Sequence, residues 1–101
     1  GAHVDLVGAY LPHMREADTE TARRAGRMFT DNRDAFLASA DGAGPVAEGL
    51  IQGPEADYFD LCTGRHPGRR SSDEITVCKN GGGGHLDLFL TEYLYDSISR
   101  I

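Results

Sequence analysis

At 101 residues the chain has room for one small domain, since domains usually run to roughly 100–200 residues, and two independent active domains are excluded. Sixteen acidic against ten basic side chains leave a formal charge of −6, which speaks against non-specific attachment to nucleic acid or to an anionic membrane. Leu, Ile, Val and Phe together supply only 21 residues, close to the roughly 20% level below which highly charged chains tend to stay disordered, so the core is expected to be thin.

The chain opens without Met on GAHVDLVG, which reads as the middle of a strand already under way, so a fragment is expected. Pro12 marks the following segment, Ala9 to Arg15, as a loop. A helix should then start at Asp18, whose carboxylate suits an N-cap, and stop at Gly26, with Glu20 and Arg23–Arg24 at the ends where their charges complement the helix dipole. Arg27 to Thr30 is a short strand ending in a turn at Asp31–Asn32. A second helix is predicted over Arg33 to Ala40, terminated by Asp41-Gly42-Ala43-Gly44-Pro45, and Pro54 is placed to begin a third through Glu55, Tyr58, Phe59 and Leu61. Gly64 to Ser72 reads as a solvated loop with a local basic spot from Arg65, His66, Arg69 and Arg70.

Glu74 to Lys79 is the clearest strand, with Ile75 and Val77 on one face. After Asn80 come four glycines, and then Leu86, Phe89, Leu90, Tyr93, Leu94, Ile98 and Ile101 recur at helical spacing, so a long apolar terminal helix is expected. Strands alternating with helices indicate an α/β fold, part of a doubly wound, Rossmann-type domain, with the amphipathic terminal helix returning to a second domain.

The glycine run lies between a strand and a helix, where backbone N–H groups could approach a phosphate or carboxylate, yet it has neither the GxGxxG spacing nor a P-loop Lys. The four histidines and two cysteines, Cys62 and Cys78, have no metal-ligand spacing, and the cysteines read as ordinary buried thiols. No run of about 20 apolar residues and no signal peptide is visible, which points to a reducing, cytoplasmic setting.

Two segments carry a family resemblance. GAHVDLVGAYLPHMREAD from Gly1 to Asp18 and SDEITVCKNGGGGHLDL from Ser72 to Leu88, in this order and separation, resemble the C-terminal third of the ornithine cyclodeaminase and mu-crystallin family. The resemblance implies an enzyme that uses NAD or NADP on a small amino or imino acid, with a Rossmann domain and a second α/β domain that forms a homodimer. Residues 1–80 would be the later part of the cofactor domain, and 81–101 a glycine-rich turn and helix packing on the other domain.

It further implies that the turn Val7, Gly8 and Ala9 lies beside the nicotinamide, that Asn80 also touches cofactor and that Gly81 lies near substrate. Gly8 would tolerate no Cβ because backbone and cofactor approach closely there. Tyr10 stands where cyclodeaminases have an acid/base aspartate, Met14 where they have a lysine, and His13 where relatives often have aspartate. A tyrosine, with an ordinary pKa of about 10, can donate a proton but is a poor base at neutral pH, so Tyr10 suits reduction of an imine or keto acid better than cyclodeamination. The reading from another class is a binding or assembly module that docks through its terminal helix.

Overall fold

The computed structural model describes residues 1–100. Its centre is a parallel sheet of three strands, β1 (His3–Leu6), β2 (Met28–Thr30) and β3 (Thr76–Lys79), in the order β1-β3-β2. The last strand in sequence is therefore the middle one, and the crossover between β1 and β2 passes its position. Side chains alternate across the sheet. Leu6, Met28 and Val77 meet Ala22, Ala25, Phe36 and Ile51 on one face, while Phe29 and Cys78 meet Ala56, Tyr58 and Leu61 on the other.

The first crossover helix, α1 (Thr19–Ala25), has the ends its sequence asks for. The Asp18 carboxylate accepts the Thr21 N–H at 3.0 Å, and Gly26, at φ 78°, closes the helix by donating to the Ala22 carbonyl at 2.9 Å. The next stretch departs from expectation. Arg33–Ala38 winds as a 3₁₀ turn, and a separate helix, α2 (Ala40–Ala47), runs through the Gly42-Ala43-Gly44-Pro45 segment that reads as a helix stop.

Close packing explains the reversal. A Cβ on Gly42 would fall 2.0 Å from the Phe36 carbonyl oxygen, and one on Gly44 would fall 2.8 Å from the Arg15 guanidinium. The glycines thus let α2 press against the 3₁₀ turn and the β1–α1 loop, and this packing overrides poor helix propensity.

Helix α3 (Tyr58–Cys62) begins four residues after Pro54, because a reciprocal capping box between Asp57 and Asp60 sets its start. Cys62 at its end is exposed and Cys78 buried, so only one of the two thiols is a core residue. The Gly64–Ser72 loop is tied down: Arg69 donates to Thr76 Oγ1 at 2.9 Å, and Arg65 lies over the Phe59 ring. Beneath it Arg27 and Arg70 both grip Glu74.

The terminal helix α4 (Gly84–Ser99) has no buried residue. Leu88, Phe89, Leu90, Tyr93, Leu94, Tyr95 and Ile98 are 55–70% exposed, and Ile101 lies outside the described residues. No helix among the described residues is long and apolar enough to cross a membrane.

Glu74 links folding to pH. The Arg70 backbone N–H, followed by the Arg27 and Arg70 guanidinium groups, holds its carboxyl down at about 2, against an ordinary 4.5. A depressed carboxylate contributes its full stabilisation above the unfolded-state value and loses it as pH falls from about 4.5 to 2. Glu74→Gln should therefore lower Tm at pH 7, and thermal melts should show the gap closing as the pH falls to about 2; an equal gap at both ends would contradict the assignment.

Candidate functional site

The C-terminal ends of the strands lie side by side, with Leu6 and Thr30 both in register with Lys79. Backbone bonds continue past them. Asn80 donates to the Leu6 carbonyl at 2.9 Å, and Asp31 donates to that of Lys79 at 3.3 Å. Three turns consequently meet at one edge: Val7-Gly8-Ala9, Asp31–Asn32 and Asn80-Gly81-Gly82. This is the edge at which parallel α/β sheets bind ligands.

The first and the third of these turns are each held by a carboxylate of the chain itself. Glu16 Oε1 accepts the N–H groups of Gly8 at 2.6 Å and Ala9 at 3.0 Å. Asp31 accepts those of Gly81 at 2.8 Å and Gly82 at 3.1 Å, and also that of Asn32. Two of the four glycines thus already bind a carboxylate, that of Asp31, so the Gly81 and Gly82 amides are not open to a phosphate. A Cβ on Gly8 would come within 2.9 Å of Glu16, and one on Gly81 within 2.6 Å of the Ala35 methyl group, so both glycines make room for neighbours within the fold. Gly82, at φ 80°, supplies the left-handed step of its turn.

Between the two turns Lys79 is buried, with 1% of its surface exposed. Its ammonium donates to the Ala9 carbonyl at 2.7 Å and to Asp41 at 3.4 Å, with Glu16 at 3.8 Å. Asp41 in turn accepts the N–H groups of Glu16 and Ala17, fastening α2 beneath the β1–α1 loop. Removing one partner from such a buried pair strands a charge at a penalty of about 3–5 kcal/mol.

The residues expected from sequence divide clearly. Val7, Gly8, Ala9, Asn80 and Gly81 are brought together at this edge, with Ala9 buried and Val7 65% exposed. Tyr10 follows the turn with 66% of its surface exposed in this chain. Asn80 Oδ1 accepts the Gly82 N–H, while its Nδ2 has no partner among the described residues. Sequence reasoning missed Glu16, Asp31, Asp41 and Lys79. The visible signal was a lysine closing the clearest strand, whereas partners 7 to 70 positions away leave no local pattern.

On the opposite face of the sheet a cavity of about 320 Å³ opens beside Phe29, Tyr58 and Cys78. Burial pushes the Cys78 thiol and the Tyr58 phenol up, so both stay protonated and neither is an activated nucleophile.

The sequence pattern of the ornithine cyclodeaminase/mu-crystallin family matches residues 1–100. The chain is 43% identical over 97 residues to a Δ1-pyrroline-2-carboxylate reductase of Paracoccus denitrificans, covering 93% of this chain and 30% of that protein. It is 31% identical over 99 residues to a Δ1-pyrroline-2-carboxylate reductase of Bacillus cereus, covering 95% and 30%. Among solved structures it is similar to a probable ornithine cyclodeaminase of Bordetella pertussis, with a TM-score of 0.78 and 29% identity over 94% of this chain and 31% of the other. An archaeal alanine dehydrogenase dimer with bound NAD shares the fold, with a TM-score of 0.77 and 24% identity over 99% and 32%. The chain thus spans about a third of the length of the relatives it matches.

Asp31 is 6% exposed, so replacing it leaves the Asn32 and Gly81 N–H groups short of an acceptor and the Gly82 N–H with Asn80 Oδ1 alone. Asp31→Ala should lower the unfolding free energy by about 2 kcal/mol in urea titrations. A loss below about 0.5 kcal/mol would show that these amides do not depend on it.

Proposed function

We propose, since this chain belongs to the ornithine cyclodeaminase/mu-crystallin family, that it forms the nicotinamide-side edge of an NAD(P)-dependent oxidoreductase acting on cyclic imino acids. The observation that carries this reading is the adjacency of Val7-Gly8-Ala9 and Asn80 at neighbouring strand ends, with the Val7 side chain and the Asn80 amide facing outward. An apolar side chain beside an uncharged amide donor fits an aromatic carboxamide. The diphosphate half of a dinucleotide finds no such fit at the Gly8, Ala9, Gly81 and Gly82 amides, because these are taken by Glu16 and Asp31. Its anchorage belongs to the part of the relatives beyond this span, as do the groups that grip substrate.

The chemistry that NAD(P)H would supply when bound is hydride donation to an imine carbon. Val7 and Asn80 would hold the nicotinamide ring, Gly81 would border the substrate, and Tyr10 would hold or deliver the proton at the imine nitrogen. With Tyr10 and Met14 in place of the family's aspartate and lysine, the site lacks the base that cyclodeamination needs, so reduction is favoured. The enzyme would act in the cytoplasm as a homodimer, with residues 81–101 packing on its second domain. The exposed apolar surface of α4 supports that last assignment, since covering each such side chain is worth roughly 1.5–3 kcal/mol.

Two measurements test the reading. The full-length protein carrying this segment should oxidise NAD(P)H in the presence of Δ1-pyrroline-2-carboxylate, and Tyr10→Phe should lower kcat by about a hundredfold with little change in cofactor KM. No oxidation with cyclic imines or keto acids would overturn it. The 101-residue chain alone should self-associate through α4, and Leu90→Glu with Leu94→Glu should make it monomeric; a compact monomer in sedimentation before substitution would contradict the role of the helix.

A further inference from the structure

We propose that Lys79 is a positioning residue for the nicotinamide-side turn, acting through Glu16 and Asp41 without touching any ligand; this rests on the function proposed above. Lys79 shares a face of β3 with Val77, a core residue, so an aliphatic side chain would suit its place in the sheet. Its ammonium is instead enclosed among the Ala9 carbonyl, Asp41 and Glu16.

The two carboxylates have unequal freedom. Asp41 is fully enclosed and held by two backbone donors, whereas the Glu16 side chain keeps 38% of its surface in solvent. With the lysine ammonium gone, Glu16 loses the cation 3.8 Å away, and as the more exposed of the two carboxylates it is the one free to turn outward. That movement releases the Gly8 and Ala9 N–H groups and, with the Ala9 carbonyl already freed, unfastens the turn at three points. The neighbouring Asn80–Gly82 turn is held separately by Asp31 and should stay in place, so it is an internal control.

Lys79→Met alone would bury the Asp41 charge unpaired and could unfold the protein, so the informative variant combines Lys79→Met with Asp41→Asn, which removes both buried charges and keeps an acceptor oxygen for Glu16 and Ala17. In the full-length protein, amide exchange at Gly8 and Ala9 should accelerate about tenfold or more, with Gly81 and Gly82 unchanged. The NAD(P)H dissociation constant, from fluorescence titration, and its KM should rise about tenfold while kcat stays within about twofold. Glu16→Gln, which retains an acceptor but no charge, should fall between the unmodified protein and the double variant in exchange at Gly8 and Ala9. Unchanged exchange at Gly8 and Ala9 would overturn the proposal, as would equal acceleration at Gly81 and Gly82, which would mark a merely structural role. Should the unmodified protein neither bind nor oxidise NAD(P)H, the functional reading fails by itself, and the exchange rates still decide whether Lys79 sets the turn.

Discussion

A single buried ammonium organises the end of the sheet. Lys79 closes the central strand, and its three nearest oxygen partners come from the β1–α1 turn, from that loop's Glu16 and from α2. Without this cation the segment Val7–Ala17 would meet α2 through two carboxylates of like charge. With it, three elements distant in sequence are drawn to one point, and the backbone of the turn is set before any ligand arrives. Such arrangement ahead of binding is what a site needs if binding energy is to go into orientation rather than into ordering a loop.

The second consequence concerns what the edge can recognise. Strand ends and glycine turns ordinarily offer N–H groups to anions. Here Glu16 and Asp31 fill both turns from within, so the edge presents Val7, Tyr10 and the Asn80 amide instead. That surface matches a flat, uncharged ring better than a phosphate. The relatives that the chain matches are about three times as long as it is.

Legibility in the sequence followed the range of the interactions. The ends of α1 were readable because Asp18, Thr21, Ala22 and Gly26 are neighbours, and β3 because its residues are β-branched and apolar. Helix α2 was not, because Gly42 and Gly44 serve contacts with Phe36 and Arg15, and no local rule reveals those partners. The family resemblance located Val7, Gly8, Ala9, Asn80 and Gly81, which the fold then brings to one edge. The groups that hold them there act across 7 to 70 positions of sequence, and only the folded chain shows the pairing.

The Lys79 ammonium is held beneath the Val7–Ala9 turn. Nitrogen-15 NMR of selectively labelled lysine tests it most directly, because a buried, hydrogen-bonded ammonium exchanges its protons slowly enough to be resolved. One protected Lys79 side-chain signal is expected, with nuclear Overhauser contacts to Ala9 and Glu16. A freely rotating, rapidly exchanging ammonium with no such contacts would contradict it.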